Sequence, residues 1–301
     1  MSFPLEIQNL CKSYGAFAAV KDVSLVLNKG EIFGLLGPNG AGKTSILSCI
    51  VNLNRPTSGS IRVFGKDVVQ SPRERATRTG VVPQEIIHHG FFTVREVLGF
   101  QAGYYGVRNG EDWLNYLLKK LQLWEHRDKL VKQLSGGMKR RLMIAKALVH
   151  QPSLLLLDEP TAGVDIALRT SLWEFVRELR DQGLTILLTT HYLEEAESLC
   201  DRVGILQNGI LQRVGVTAEL ICEYTQRIAT ISLSGDLPVI QHPCLFMQKP
   251  GEVRVRLPRD RQLGQVLSEM GITLPNVVDI RIQEGSLEEA FLRVLGGRHD
   301  S

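Results

Sequence analysis

Gly37-Pro38-Asn39-Gly40-Ala41-Gly42-Lys43-Thr44 follows the pattern G-x-x-x-x-G-K-[ST]. Its glycines let the backbone wrap closely around phosphate oxygens. The apolar run 32–36 before it reads as a buried strand, and the run from Ser45 to Ile50 after it reads as a helix. A strand that turns through such a loop aims backbone N–H groups and the positive end of a helix dipole at one point. Polyphosphate suits that point. Lys43 reaches the β- and γ-phosphates there, and Thr44 offers a hydroxyl to Mg²⁺.

Open parallel sheets hold ligands beyond the carboxyl ends of their strands. Besides the strand before the loop, three expected strands end in groups suited to nucleotide chemistry. Val81-Val82-Pro83 runs into Gln84, the run 154–157 into Asp158-Glu159, and the run 185–190 into His191. Asp158 is a hard carboxylate suited to Mg²⁺. Side chains alternate along extended backbone, so Glu159 is expected to point away from Asp158, free to polarise an attacking water. His191 fits a γ-phosphate contact.

Leu134-Ser135-Gly136-Gly137-Met138 precedes a helical run over 142–149 and reads as a second anion-binding helix terminus. Two such termini with a single lysine-bearing loop point to two copies paired head to tail, each closing the other's site. Lys139-Arg140-Arg141 reads as a phosphate-facing or solvated helix start rather than a nucleic-acid contact.

The elements that must position these groups are legible from periodicity. Segments 5–10, 23–27 and 59–64 read as strands of an antiparallel layer. From 93 to 150 the apolar spacing becomes helical, as an insertion between two α/β segments. Residues 167–182 form an amphipathic helix closed by Gly183, and Asn208-Gly209 marks a hairpin between 203–207 and 210–214. The pattern loosens at 220–225. Residues 227–301 then read as a small α+β unit with strands at 228–233, 244–247, 253–257 and 277–282. It has helices over 261–270 and from the capping-box pattern at Ser286 through Leu295. The expected boundaries are 1–220, with a helical subdomain at about 85–150, and 221–301.

Composition narrows the class. A net charge of +3 is too small to argue for nucleic acid by itself. The five cysteines form no C-x-x-C pair, which favours a reducing compartment and excludes a zinc-ribbon reading. No run approaches the ~20 apolar residues of a membrane span, and no basic-then-apolar leader opens the chain. The expectation is a chain neither secreted nor membrane-spanning, whose membrane role runs through a partner.

In this order the motifs resemble the ATP-binding cassette (ABC) family over residues 3 to 216. The resemblance implies an α/β P-loop NTPase with a mixed sheet, an antiparallel β subdomain and a helical insertion. It makes 37–44 the Walker A loop, Gln84 the Q-loop glutamine and Leu134–Met138 the signature. Residues 154–158 become the Walker B strand, Ala162-Gly163-Val164-Asp165 the D-loop and His191 the switch histidine. Tyr14 matches the aromatic that stacks on adenine. The implied cofactors are ATP and Mg²⁺, with Thr44, Gln84 and Asp158 around the metal. Gly37 to Ser45, Ser135, Gly136, Gly137 and Asp165 surround the nucleotide. Lys43, Glu159 and His191 carry the chemistry.

Within the family, the chain is most similar to ATPase subunits of ABC-2-type exporters, the drug-resistance, polysaccharide and lipid efflux systems. The signature ends in Met138 where the family usually has Gln, a change found in that subgroup. Ser286 to Leu292 resembles the subgroup's C-terminal extension. The implied partners are a second copy and a separate integral membrane permease, with no nucleic acid, on the inner face of the cell membrane. The insertion and the loop 85–92, with His88 and His89 as ordinary loop residues, would face that permease. The alternative is a soluble ABC-type ATPase acting on DNA or ribosomes, a class that typically carries long coiled coils or two fused cassettes.

Overall fold

The computed structural model describes residues 2–86, 90–161, 166–235, 238–258 and 261–296. His88, His89 and the segment 162–165 with Asp165 lie outside the described residues. The chain forms two compact units, Met1–Val216 and Thr217–Ser301.

In the first unit, β1 (Leu5–Tyr14) and β2 (Phe17–Leu27) form an antiparallel hairpin that buries Leu5, Ile7 and Leu10 against Val23, Leu25 and Leu27. Both strands are longer than their alternation suggested. Register shifts inside β1 break the period-two pattern that sequence reasoning follows. β3 (Ile32–Leu36) is buried throughout. It runs through the glycine loop into α1 (Lys43–Ile50), then β4 (Ser58–Val63) and β5 (Lys66–Asp67). The order β2-β1-β4-β5 completes an antiparallel sheet.

After α2 (Pro72–Arg78) comes β6 (Thr79–Val82). The insertion holds α3 (Val94–Tyr104), α4 (Glu111–Lys120) and α5 (Gly136–Leu148). A capping box fixes the start of α3. The Thr93 hydroxyl accepts from the Glu96 N–H at 3.2 Å, and the Glu96 carboxylate accepts from the Thr93 N–H at 2.8 Å.

The chain then alternates: β7 (Leu154–Asp158), α6 (Ile166–Asp181), β8 (Thr185–Thr190), α7 (Leu193–Leu199), β9 (Arg202–Gln207) and β10 (Ile210–Val216). The second sheet has the order β10-β9-β3-β8-β7-β6, parallel except for the hairpin strand β10. Strands covered on both faces read as unbroken apolar runs, and β3 and β7 show this. Register places Leu36 beside Thr190, Thr189 beside Asp158, and Leu157 beside Val82. The four strands expected to end in reactive groups therefore end side by side.

The second unit begins with α8 (Thr217–Tyr224). This eight-residue helix buries only Thr217 and Leu220, too little to print a helical period on the sequence. β11 (Arg227–Leu233), β12 (Leu245–Lys249), β13 (Glu252–Leu257), α9 (Leu263–Glu269), β14 (Val277–Gln283) and α10 (Leu287–Gly296) follow. The antiparallel order is β12-β13-β11-β14. Ala229, Ile231, Val253 and Val255 form a core with Val266 and Leu267 of α9. Among the described residues, no helix is long and apolar enough to cross a membrane.

Candidate functional site

The glycine loop closes where no other residue type fits. A Cβ at Gly37 would lie 2.3 Å from the Leu206 carbonyl oxygen. Gly42 has φ +109°, and a Cβ there would lie 2.5 Å from the Ala19 carbonyl oxygen. This tight wrap turns the loop around Lys43, which is 5% exposed. Its ammonium donates to the Gly37 carbonyl at 2.7 Å and the Pro38 carbonyl at 3.1 Å. Burial pulls the lysine pKa below its ordinary value, against the opposing pull of Glu159 and Asp158. Thr44 and Ser45 sit at the mouth of the helix, in the wall of a cavity of about 420 Å³. Tyr14, Phe17, residues 39–44, Gln84 and Glu159 also line it.

Three sequence-predicted groups converge on Glu159. Gln84 Nε2 donates to Glu159 Oε2 at 3.1 Å. His191 Nδ1 lies 3.4 Å from Glu159 Oε1, and Lys43 Nζ lies 3.8 Å from the same oxygen. Glu159 was expected to point away from Asp158 by strand alternation, but its backbone leaves the strand altogether. Its φ of +46° takes the backbone out of the extended region, and its N–H donates to both the carbonyl and the hydroxyl of Thr189 at 3.1 Å. The carboxylate swings to the loop and is held by Gln84 rather than left unengaged. Asp158 is buried, and its Oδ1 accepts from the Thr189 hydroxyl at 2.6 Å.

These groups fit a divalent cation of the magnesium kind. Among the described residues, no cluster of three or more His, Cys, Asp or Glu could form a closed protein cage. The available donors, the hydroxyl of Thr44, the amide oxygen of Gln84 and the carboxylate of Asp158, are hard oxygens. Such a set suits an ion that keeps waters and phosphate oxygens as its other ligands.

The cavity carries two exposed aromatic rings at the ends of β1 and β2, not one. Tyr14 is 44% exposed, its hydroxyl accepts from Asn54 Nδ2 at 3.3 Å, and Lys12 Nζ lies 4.8 Å from its ring centroid. Phe17, 65% exposed, is its cross-strand partner and lines the same cavity. Sequence reasoning passed over Phe17, although a tight turn after Tyr14 brings that position alongside it.

Ser135 caps α5, its hydroxyl accepting from the Met138 N–H at 3.3 Å. Ser135 and Gly136 are exposed, and they and Gly137 are absent from the described walls of the loop cavity. Within one chain the start of α5 does not reach the wall of the loop cavity.

Arg140 overturns the reading of the basic run as a phosphate-facing or solvated helix start. It is 3% exposed and donates to five backbone carbonyls. These are Pro83 at 2.7 Å, Gln84 at 2.9 Å, Pro160 at 2.9 Å, Asp158 at 3.2 Å, and Glu159. One guanidinium thus holds the ends of β6 and β7 and the backbone of three site residues. A lysine ammonium has too few donors for this fork. Arg140→Ala is expected to lower unfolding free energy by about 3–5 kcal/mol, because several buried acceptors lose their donor together. Denaturant titration checks this; a change under about 1 kcal/mol would contradict the assignment.

Glu195 of α7 was also missed. It is 4% exposed, and its carboxylate accepts from the Thr161 hydroxyl at 2.7 and 2.9 Å and from the Thr190 hydroxyl at 3.3 Å. It lies 3.1 Å from Arg169 Nε. Burial pushes its pKa up, opposed by Thr161 and Arg169. Glu195 thereby ties the turn after Glu159 to the strand end before His191.

Known proteins resemble this chain over most of its length. The family model described as ABC transporter matches residues 20–162. The linearmycin resistance ATP-binding protein LnrL of Bacillus subtilis (strain 168) is 34% identical, over 97% of this chain and 98% of its own length. A Nod factor export ATP-binding protein I of Rhizobium etli is 42% identical, over 97% of this chain and 93% of its own. Among solved structures, an ATP-binding subunit of an ABC transporter aligns with a TM-score of 0.69 at 31% identity, over 73% of this chain and 92% of that one. The ADP conformation of another ABC transporter's ATP-binding cassette aligns with a TM-score of 0.63 at 26% identity, over 72% and 91%.

Proposed function

The chain belongs to the ABC transporter ATP-binding family, and from that premise we propose that it drives an exporter as a head-to-tail pair docked on a separate membrane permease. The observation that carries this reading is the meeting of Lys43, Gln84 and His191 on the Glu159 carboxylate. The exposed Ser135 and Gly136 stand apart from that cluster. Each loop cavity is thus open to a second copy's signature.

In this scheme Lys43 and the N–H groups of 39–45 grip the phosphates, and Tyr14 and Phe17 stack on the base. Thr44, Gln84 and Asp158 would hold Mg²⁺, which when bound neutralises phosphate charge. Ser135, Gly136 and Gly137 of the second copy close the site, and Asp165 is assigned to the same interface by resemblance. Glu159 orients and deprotonates the attacking water, and His191 senses the γ-phosphate. Contacts from both copies make ATP bind the closed pair more tightly than the open one, which is what shifts the equilibrium. The relatives' names, export of Nod factors and resistance to linearmycin, support an exporter role on the inner face of the membrane. Exposed Phe91, Phe100 and Tyr104 of the helical insertion offer an apolar surface to the permease. The alternative on DNA or ribosomes loses support because Arg140, the centre of the basic run, is buried in the fold.

Sedimentation of a hydrolysis-blocked chain is expected to show monomer without nucleotide at low concentration and dimer with MgATP. A strict monomer with MgATP would overturn the pairing.

A further inference from the structure

The geometry points to β14 as a self-complementary edge through which two copies of this chain pair antiparallel, about a two-fold axis at Ile280. This lies beyond the nucleotide site and does not depend on it.

Among the described residues, β14 pairs with β11 alone and closes one side of its sheet. Its seven residues, Val277 to Gln283, include no proline and no lysine, two of the means of blunting an open edge, and its charges come as one residue of each sign. The register shift against β11 falls at the Val277 end, and from Asp279 to Gln283 the pleat is regular. Ile282, beyond Arg281 on the regular part of the strand, is 48% exposed, and Val278, which the register shift leaves without a β11 partner, is 68% exposed.

The charges select one register. Asp279 and Arg281 lie on one face of the strand, on either side of Ile280. Their β11 neighbours, Ser232 and Thr230, are neutral. Among the described residues of one chain, each is the other's salt-bridge partner, at 3.2 Å, with side chains 51% and 81% exposed. In an antiparallel self-pair, a register that places its axis between residues sets the charged face of one strand against the apolar face of the other. Axes at residue 279 or 281 oppose Asp to Asp or Arg to Arg. An axis at Ile280 sets Asp279 of each copy against Arg281 of the other. Opposite charges directly across an antiparallel ladder stabilise it, and like charges destabilise it. The two four-stranded sheets would then join into one continuous sheet.

The test uses full-length chain without nucleotide, in sedimentation equilibrium over a wide concentration range. The parent is expected to self-associate. D279R and R281D are each expected to weaken association by about tenfold or more, since two attractive pairs become repulsive. An equimolar mixture of the two variants restores it through heterodimers, and the double swap D279R/R281D restores it alone. Thermal melting confirms that the variants fold. A parent that stays monomeric, or single reversals that leave association unchanged, or a mixture that fails to recover, overturns the proposal. Because ATP is absent throughout, failure here is distinguishable from failure of nucleotide-driven pairing.

Discussion

Glu159→Gln is expected to slow steady-state ATP hydrolysis by roughly 10²–10⁴-fold, the usual share of a general base, without weakening ATP binding. The substitution keeps shape and removes charge. In the structure that charge lies 3.8 Å from the Lys43 ammonium, in the place where a terminal phosphate would seek the same lysine. Removing a carboxylate from beside an incoming polyphosphate relieves like-charge repulsion, so ATP affinity should hold or rise. The amide oxygen still accepts from Gln84, so the local geometry persists. Single-turnover hydrolysis measured beside equilibrium ATP binding separates the two effects. Turnover near that of the parent removes Glu159 from the chemistry.

The parts that were legible in the sequence are those where one local rule dominates. β3 begins and ends where its apolar run does, and β7 runs one residue past its own into Asp158, because both faces are covered and each residue reports the same environment. Pattern and flanks together located the loop around Lys43. The misses have a common physical origin in contacts made by distant segments. Arg140 looks like its neighbours in a basic run, yet its acceptors come from strand ends up to 57 residues away. Glu195 lies in a segment that carries no motif, and its partner Thr161 is 34 residues distant. Glu159 broke a correct rule, because strand alternation stops where φ turns positive. For β14 the alternation was visible, but its position at a sheet edge is a property of topology that no window of residues contains.

Lys43→Met is expected to show the opposite signature from Glu159→Gln. Methionine fills much of the lysine stem and removes only the charge. Charge-assisted hydrogen bonds from the ammonium to phosphate oxygens are worth about 1.5–3 kcal/mol, so ATP affinity should fall by about 10–100-fold. Hydrolysis should fall by a further ~10²–10³-fold, because the same ammonium stabilises charge that develops in the transition state. The fold itself should tolerate the change. Burial already disfavours the ammonium, and the cost of leaving the Gly37 and Pro38 carbonyls without their donor is partly returned by that relief. Ligand-linked melting separates the two quantities, since a ligand raises stability only as far as its concentration exceeds its dissociation constant. At one fixed MgATP concentration, Glu159→Gln should keep the full ATP-induced rise in Tm. Lys43→Met should melt near the parent without nucleotide and lose most of the rise with it. An undiminished rise in Lys43→Met would place the phosphates somewhere other than the loop at 37–44 and dismantle the site.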